Sequence, residues 1–247
     1  MTQRLLSSPD DPVILWQLFD PESGTLSYLV AHRACRDAFL FDPVLEQAPV
    51  YCRLLADLEL LLSMAVDTHT HADHVTALLT LQQATGCQVA RHGLETPPCV
   101  TRQLVDHDLL RCRCGGLEIA VWHTPGHTMD SCCFVVPGQP QRLLTGDTLF
   151  IEGTGRTDLP SGDAFQQSAS LLRLLAMDDA TVVLPGHDYR NRSTTTIGHE
   201  RTCNPRLQVL QQQGPAAYAA LMGALHLPPP RLMDVALQRN SRCGAPL

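Results

Sequence analysis

The sequence contains no lysine: all 18 basic residues among its 247 are arginine. This excludes a catalytic lysine, a Schiff base and a phosphate-loop lysine together. A GC-rich coding sequence produces the same bias by drift, so it needs no functional cause. No apolar run approaches the roughly 20 residues that span a bilayer. Met1 to Pro12 lacks the basic segment and apolar core of a secretory signal. Asp10 and Asp11 are acids that a mitochondrial transit peptide avoids. A basic surplus is missing too, because the formal net charge is -7. Nucleic acid and membrane are therefore not expected as partners. Among the ten cysteines there is no CxxC pair. The expectation is a cytoplasmic protein with reduced, mostly buried thiols rather than a disulfide framework. Cys112 and Cys114 could chelate, but CxC spacing without a second pair is a weak signal.

What is present is enough apolar material for a sizeable core: 44% hydrophobic residues against 17% charged. Val13 to Val44 reads as antiparallel strands with turns at Asp20-Pro21 and Ser23-Gly24. Leu54 to Leu62 reads as a helix. Further on, apolar runs end in polar clusters. Leu61–Val66 leads into Asp67-Thr-His69-Thr-His71-Ala-Asp73-His74, and Leu117–Trp122 into His123-Thr-Pro-Gly-His127. Arg142–Leu144 leads into Thr-Gly-Asp147, and Thr181–Leu184 into Pro-Gly-His187. Each looks like a buried strand presenting a side chain on the loop at its end. Helical patterns lie between them, at Val75–Ala84 with Gly86 as C-cap and at Ala164–Ala176. Strands and helices interleaved this way imply an α/β layered fold with a site along one sheet edge. Pro215 opens a short helix to Leu225, and Pro228–Pro230 stops it. The expected organisation is a single domain over 1–247, with a C-terminal helix and tail from about 205 to 247 packed on the body.

His69, His71, Asp73 and His74 fall within six residues, a donor set suited to borderline divalent metals. One isolated histidine would count for little. Here five of the eleven (69, 71, 74, 127 and 187) fall at strand ends, with Asp147 at another. The other six are read as surface or core residues, including His32 and His123.

The HxHxDH loop, TPGHT, TGDTLF and PGHDY together resemble the metallo-β-lactamase superfamily. That resemblance implies an αββα sandwich with a metal at one edge of the two sheets. Gly155-Arg156-Thr157-Asp158, His187-Asp188-Tyr189, Asn204-Pro205-Arg206-Leu207 and Arg242-Cys243-Gly244 narrow it. In that order they resemble the persulfide dioxygenase (sulfur dioxygenase) family over nearly the whole chain. Thr154, where many members have cysteine, and the segment Asp158–Gly162 depart from the family pattern.

The resemblance implies one Fe(2+) per chain held by His69, His127 and Asp147. His71, Asp73, His74 and His187 would then orient ligands and water. It implies glutathione persulfide and O₂ as reactants, sulfite and glutathione as products, and Arg156, Tyr189 and Arg206 as substrate contacts. A salt bridge to Asp158 is the plain alternative for Arg156. Cys243 is expected as a thiol near the pocket mouth, or as a thiol without function. A homodimer is one expected assembly. The rival reading is a glyoxalase II-like thioester hydrolase with two metals at the same seven positions.

Overall fold

The computed structural model describes residues 2–93, 97–188, 190 and 192–247. The chain forms two compact units: 1–104, 109–119 and 229–247 make the first, and 105–108 and 120–228 the second. The stretch from about 205, expected as one appendage on a single domain, therefore divides between the two units.

In the first unit, β1 (Thr2–Leu5), β2 (Val13–Phe19), β3 (Leu26–His32) and β4 (Asp37–Phe41) pair antiparallel in sequence order. β5 (Leu61–Val66), β6 (Gln88–His92) and β7 (Arg102–Leu104) extend the sheet in parallel to seven strands. All five residues of β4 are buried, as expected for a central strand covered on both faces. Two helices cover this sheet. α1 (Ala48–Asp57) buries Ala48, Tyr51, Leu54 and Leu55, an apolar stripe at helical spacing. It begins earlier than the expected Leu54 because Pro49 occupies its first turn. It ends at Asp57 because Glu59 turns left-handed (φ 51°), and Leu61 and Leu62 then belong to β5.

α2 (Leu78–Thr85) is closed by Gly86 at φ 73°, as its pattern predicts. It starts at Leu78 and not Val75, because the preceding backbone is committed elsewhere. Leu45 N–H donates to Val75 O, Ala77 N–H to Pro43 O, and Thr76 N–H to Asn240 Oδ1.

The six-stranded second sheet is ordered β13 (Thr195–Thr196), β12 (Val182–Pro185), β11 (Arg142–Gly146), β10 (Cys132–Val136), β9 (Glu118–His123) and β8 (Leu109–Arg111). β11 and β12 are its parallel pair. α3 (Ala164–Leu175) is capped by Asp163, whose carboxylate accepts from the Phe165 and Gln166 amides. Leu171, Leu174 and Leu175 pack with Cys133, Leu143 and Val183 of the sheet. α4 (Ile197–Cys203) leads directly into α5 (Pro205–Gly223). The Asn-Pro of the NPRL motif is a helix start: Asn204 accepts from the Arg206 and Leu207 amides, and Pro205 opens the helix. Gly214 (φ 84°) breaks α5, so a new helical segment begins at Pro215 as expected, but a helix already precedes it.

The final helix, α6 (Met233–Asn240), has no counterpart in the sequence reading. It delivers Asn240, fully buried, to the HxHxDH loop of the same unit. Asn240 Nδ2 donates to His71 O and His74 O, each at 2.9 Å, and Oδ1 accepts the Thr76 amide at 2.9 Å. Asn240→Ala strands three buried backbone groups, each costing about 1–3 kcal/mol. A loss of at least about 3 kcal/mol in urea denaturation is expected; a change near zero would show that the loop finds other partners.

Candidate metal centre

The loop after β5 carries four of the seven expected donor positions. Thr68 donates through its hydroxyl to Asp42 Oδ2 (3.0 Å) and through its amide to Asp42 Oδ1. Its hydroxyl oxygen lies 2.9 Å from His69 Nδ1 and so accepts that N–H. This chain sets the His69 tautomer and leaves Nε2 as the donor lone pair, the usual logic behind a metal-bound imidazole. His71 Nε2–H donates to Asp42 Oδ1 at 3.0 Å. His74 Nδ1–H donates to Asp73 Oδ2 at 2.9 Å, and the Thr25 hydroxyl donates to the same oxygen at 3.0 Å.

Two nitrogens of this loop, His71 Nδ1 and His74 Nε2, are buried with no hydrogen-bond partner among the described residues. Buried polar atoms without partners are costly, and a bound cation answers that cost. The donors of His71, Asp73 and His74 lie within 4.8 Å of one another, and so do those of Asp42, Asp67 and His71. The loop is therefore chemically fitted to a cation.

Burial opposes charge on all three members of the second group, yet they respond differently. His71 and His69 hold the Asp42 carboxyl below the usual range. Burial prevails at Asp67 and pushes its carboxyl up. At His71 the neighbouring Asp42, Asp67 and Asp73 overcome burial and raise the ring to about 9. Sequence reading missed Asp42 as a site residue, although the Asp-Pro step after β4 places it at a strand end like the other donors.

The second unit carries His127, Asp147 and His187. His127 Nδ1–H donates to Arg156 O at 2.7 Å, which turns Nε2 toward Asp147 Oδ2 at 3.6 Å. His187 Nδ1–H donates to Asp147 Oδ1 at 2.8 Å. As placed, His187 orients the carboxylate. Three glycines permit this packing. A Cβ on Gly155 would lie 2.0 Å from Asp147 O, one on Gly186 2.5 Å from Asp147 Oδ1, and one on Gly126 2.2 Å from the Gln167 backbone. The glycines of GRTD, PGHDY and TPGHT are thus steric necessities around the donors.

The expected substrate contacts part company. Arg156 is bidentate to Asp158 (2.6 and 2.7 Å) and also donates to Pro228 O and Leu227 O. It makes the salt bridge that was its alternative reading. Arg206 Nη1 donates to Thr154 O (2.6 Å) and Oγ1 (3.1 Å). The Thr154 hydroxyl lies 3.1 Å from Tyr218 Oη, which donates to Gln167 Oε1, and Gln167 donates to Gly155 O. Thr154, one of the departures from the family pattern, is thus the link between Arg206 and the loop behind His127. Tyr189 lies outside the described residues. Cys243 is a correction: it is fully buried and disulfide-bonded to Cys99, so it offers no thiol to a pocket. The same bond corrects the expectation of wholly reduced cysteines. Gly244 follows it, where a Cβ would lie 1.9 Å from Thr76 O. The Arg-Cys-Gly motif therefore packs on the HxHxDH loop.

Comparison with known proteins matches residues 20–187 to the Metallo-beta-lactamase superfamily. The two mixed sheets with their helices are that superfamily's αββα fold. Persulfide dioxygenase ETHE1, mitochondrial, of Homo sapiens is 37% identical over 94% of this chain and 89% of its own length. The crystal structure of ETHE1 from Myxococcus xanthus superposes with a TM-score of 0.86 at 39% identity, covering 94% of this chain and all of that one. TTHA1623, crystallised in a di-iron-bound form, is more distant, with a TM-score of 0.65 and 29% identity over 76% of this chain and 98% of its own. Within the superfamily, the chain belongs to the ETHE1-like persulfide dioxygenase family. No helix among the described residues is long and apolar enough to cross a membrane.

The raised His71 gives the metal-free protein a defined pH response. The folded value of about 9 exceeds the usual 6.5. Its stabilisation is complete below the lower value and is lost as pH rises through the upper one. Denaturant titration of chelator-treated protein should show stability falling across that window, and His71→Gln should flatten the fall. An equal fall in the variant would assign the effect to another group.

Proposed function

We propose that the chain is an iron-dependent persulfide dioxygenase that oxidises glutathione persulfide with O₂ and water to sulfite and glutathione. The observation that carries this reading is the presence of the complete donor set in a chain 37% identical to a persulfide dioxygenase over 94% of its length. His69, His127 and Asp147 hold one Fe(2+). Two imidazoles and a carboxylate suit ferrous iron and leave positions open for other ligands. When bound, the iron supplies a common site for a soft persulfide sulfur and O₂ and the redox chemistry between them.

The chain's own residues then have distinct tasks. Thr68 and the Arg156 carbonyl fix the tautomers of His69 and His127, and His187 holds Asp147. Asp42 holds His71, and Asp73 holds His74, beside the iron ligands. Arg206 receives a glutathione carboxylate. It is half-buried, burial lowers its pKa, and it has no carboxylate within ion-pair distance among the described residues. A bound carboxylate would neutralise it in the bidentate geometry that arginine favours. Tyr189 is a second contact, and Arg156 braces the loop. We place the protein in the cytoplasm, where its eight remaining free cysteines stay reduced, and take it to be a homodimer.

The rival two-metal hydrolase draws on the unpartnered nitrogens of His71 and His74 and on the di-iron form of TTHA1623. Metal analysis of anaerobically purified protein, combined with O₂ uptake and sulfite assay on glutathione persulfide, separates the two. One iron per chain is expected, with activity supported by iron and not zinc. His69→Ala, His127→Ala and Asp147→Ala should lose iron and activity together. His187→Ala should keep most of its iron and slow by about 10–100-fold. Two metals per chain held by the seven histidine and aspartate positions, with zinc-dependent hydrolysis of S-D-lactoylglutathione, would replace this reading with the rival.

Arg206→Ala should lower kcat/KM by roughly ten- to a hundred-fold through KM, with iron content unchanged. Arg156→Ala should chiefly lower thermal stability. The reverse pattern would exchange the two roles.

A further inference from the structure

A second donor cluster lies elsewhere in the first unit, on residues that the persulfide reading does not use. The turn from β3 to β4 carries His32 and Cys35. The turn from β8 to β9 carries Cys112 and Cys114. His32 Nδ1 lies 3.3 Å from Cys35 Sγ and 3.3 Å from Cys114 Sγ, and Cys112 Sγ lies 3.4 Å from Cys114 Sγ. All four donor atoms lie within 4.8 Å of one another. The partner pair that CxC lacked in sequence is supplied by a different hairpin.

The turns are built to hold this arrangement. A Cβ on Gly116 would lie 2.6 Å from the His32 ring, so glycine there lets the second turn pass close to the imidazole without displacing it. Gly115 takes φ 73°, which closes the turn just after Cys114. The Leu117 amide donates to Cys112 Sγ at 3.1 Å, and the Cys35 amide to His32 Nδ1 at 3.4 Å. That second bond requires a lone pair on Nδ1, the nitrogen facing the sulfurs. Arg113, between the two cysteines, is fastened through its amide and guanidinium to the buried carboxylate of Asp37, the first residue of β4. The chain forms its disulfide at Cys99 and Cys243, yet these three neighbouring sulfurs remain thiols.

We propose that His32, Cys35, Cys112 and Cys114 form a structural zinc site. Three thiolates and one imidazole are a closed tetrahedral zinc set. With Zn–S near 2.3 Å, the sulfur–sulfur edge of such a tetrahedron is about 3.8 Å, so the 3.4 Å contact between Cys112 and Cys114 needs to open by only a few tenths of an ångström. Exposed Cys114 gives the ion an entry from solvent. Binding releases the three thiol protons and leaves His32 neutral, with its remaining proton on Nε2. The ion joins two hairpin turns that are far apart in sequence. Its soft donors differ from the imidazole–carboxylate set of the iron site, so one chain sorts two metals by ligand chemistry.

Cobalt(II) added to the reduced, chelator-stripped full-length chain tests this directly. The iron site contains no sulfur, so any thiolate-to-cobalt charge-transfer absorption must come from cysteine ligands. The wild-type chain and His69→Ala should both show that absorption with the intense visible bands of tetrahedral cobalt. Cys112→Ser/Cys114→Ser should lose both. Mass-spectrometric metal analysis should find one zinc per wild-type chain, lost in the double variant while iron is retained. No charge-transfer band in the wild-type chain, or a band that survives the double substitution, overturns the site. Neither outcome bears on persulfide oxidation, and failure of that activity leaves this readout intact.

Discussion

A loop bearing three imidazoles and two carboxylates can be buried only if its polar groups are answered from outside it. That requirement organises the first unit. Asp42 comes from the end of β4, Thr25 from the turn before β3, and Asn240 from a helix more than 160 residues away in sequence. Each answers a different part of the loop: ring nitrogens, a carboxylate, and backbone. The Cys99–Cys243 link and the close approach of Gly244 to Thr76 hold the last of these in place. What remains unanswered in the loop lies on His71, His74 and Asp67. The fold spends its hydrogen bonds on orientation and leaves donors over for a cation.

The second unit meets the same demand by closeness instead of reach. His127, Asp147 and His187 are positioned by a carbonyl, by one another, and by three glycines that let backbone approach them. Behind them runs a directed series of hydrogen bonds from Arg206 through Thr154, Tyr218 and Gln167 to Gly155. A cysteine at 154 would replace the link next to Arg206 with a weaker donor and acceptor. The departure at this position is thus absorbed within the unit, where it alters how firmly Arg206 is held.

Features with a local cause were legible in the sequence. The strands ending at His69, Asp147 and His187 stand out because apolar runs stop at donors. The α2 cap at Gly86 and the helix segment starting at Pro215 follow from the backbone limits of glycine and proline. Features whose cause is distant were not legible. Nothing near Asn240 marks it as a clamp, because its partners are at 71, 74 and 76. Val75–Ala77 has a helical pattern, but its amides and carbonyls are taken by residues 43 to 45 and 240. For Arg156 the pair with Asp158, two residues on, was legible as the alternative to a glutathione contact, whereas the carbonyls of 227 and 228 that share its guanidinium were not. His32 looked ordinary because two of the three sulfurs beside it, those of Cys112 and Cys114, lie on another hairpin.

The allocation of residues 229–247 to the first unit sets an order of events during synthesis. A ribosome emits the HxHxDH loop early and the whole of 120–228 before it emits Asn240. At about 5–20 residues per second, the loop waits many seconds for the side chain that pairs its backbone. The second unit can close in that interval; the first cannot finish until α6 arrives. Nascent chains arrested before Asn240 should therefore expose an incompletely paired histidine loop to chaperones and adventitious metals, and metal capture becomes a late event in the life of the chain.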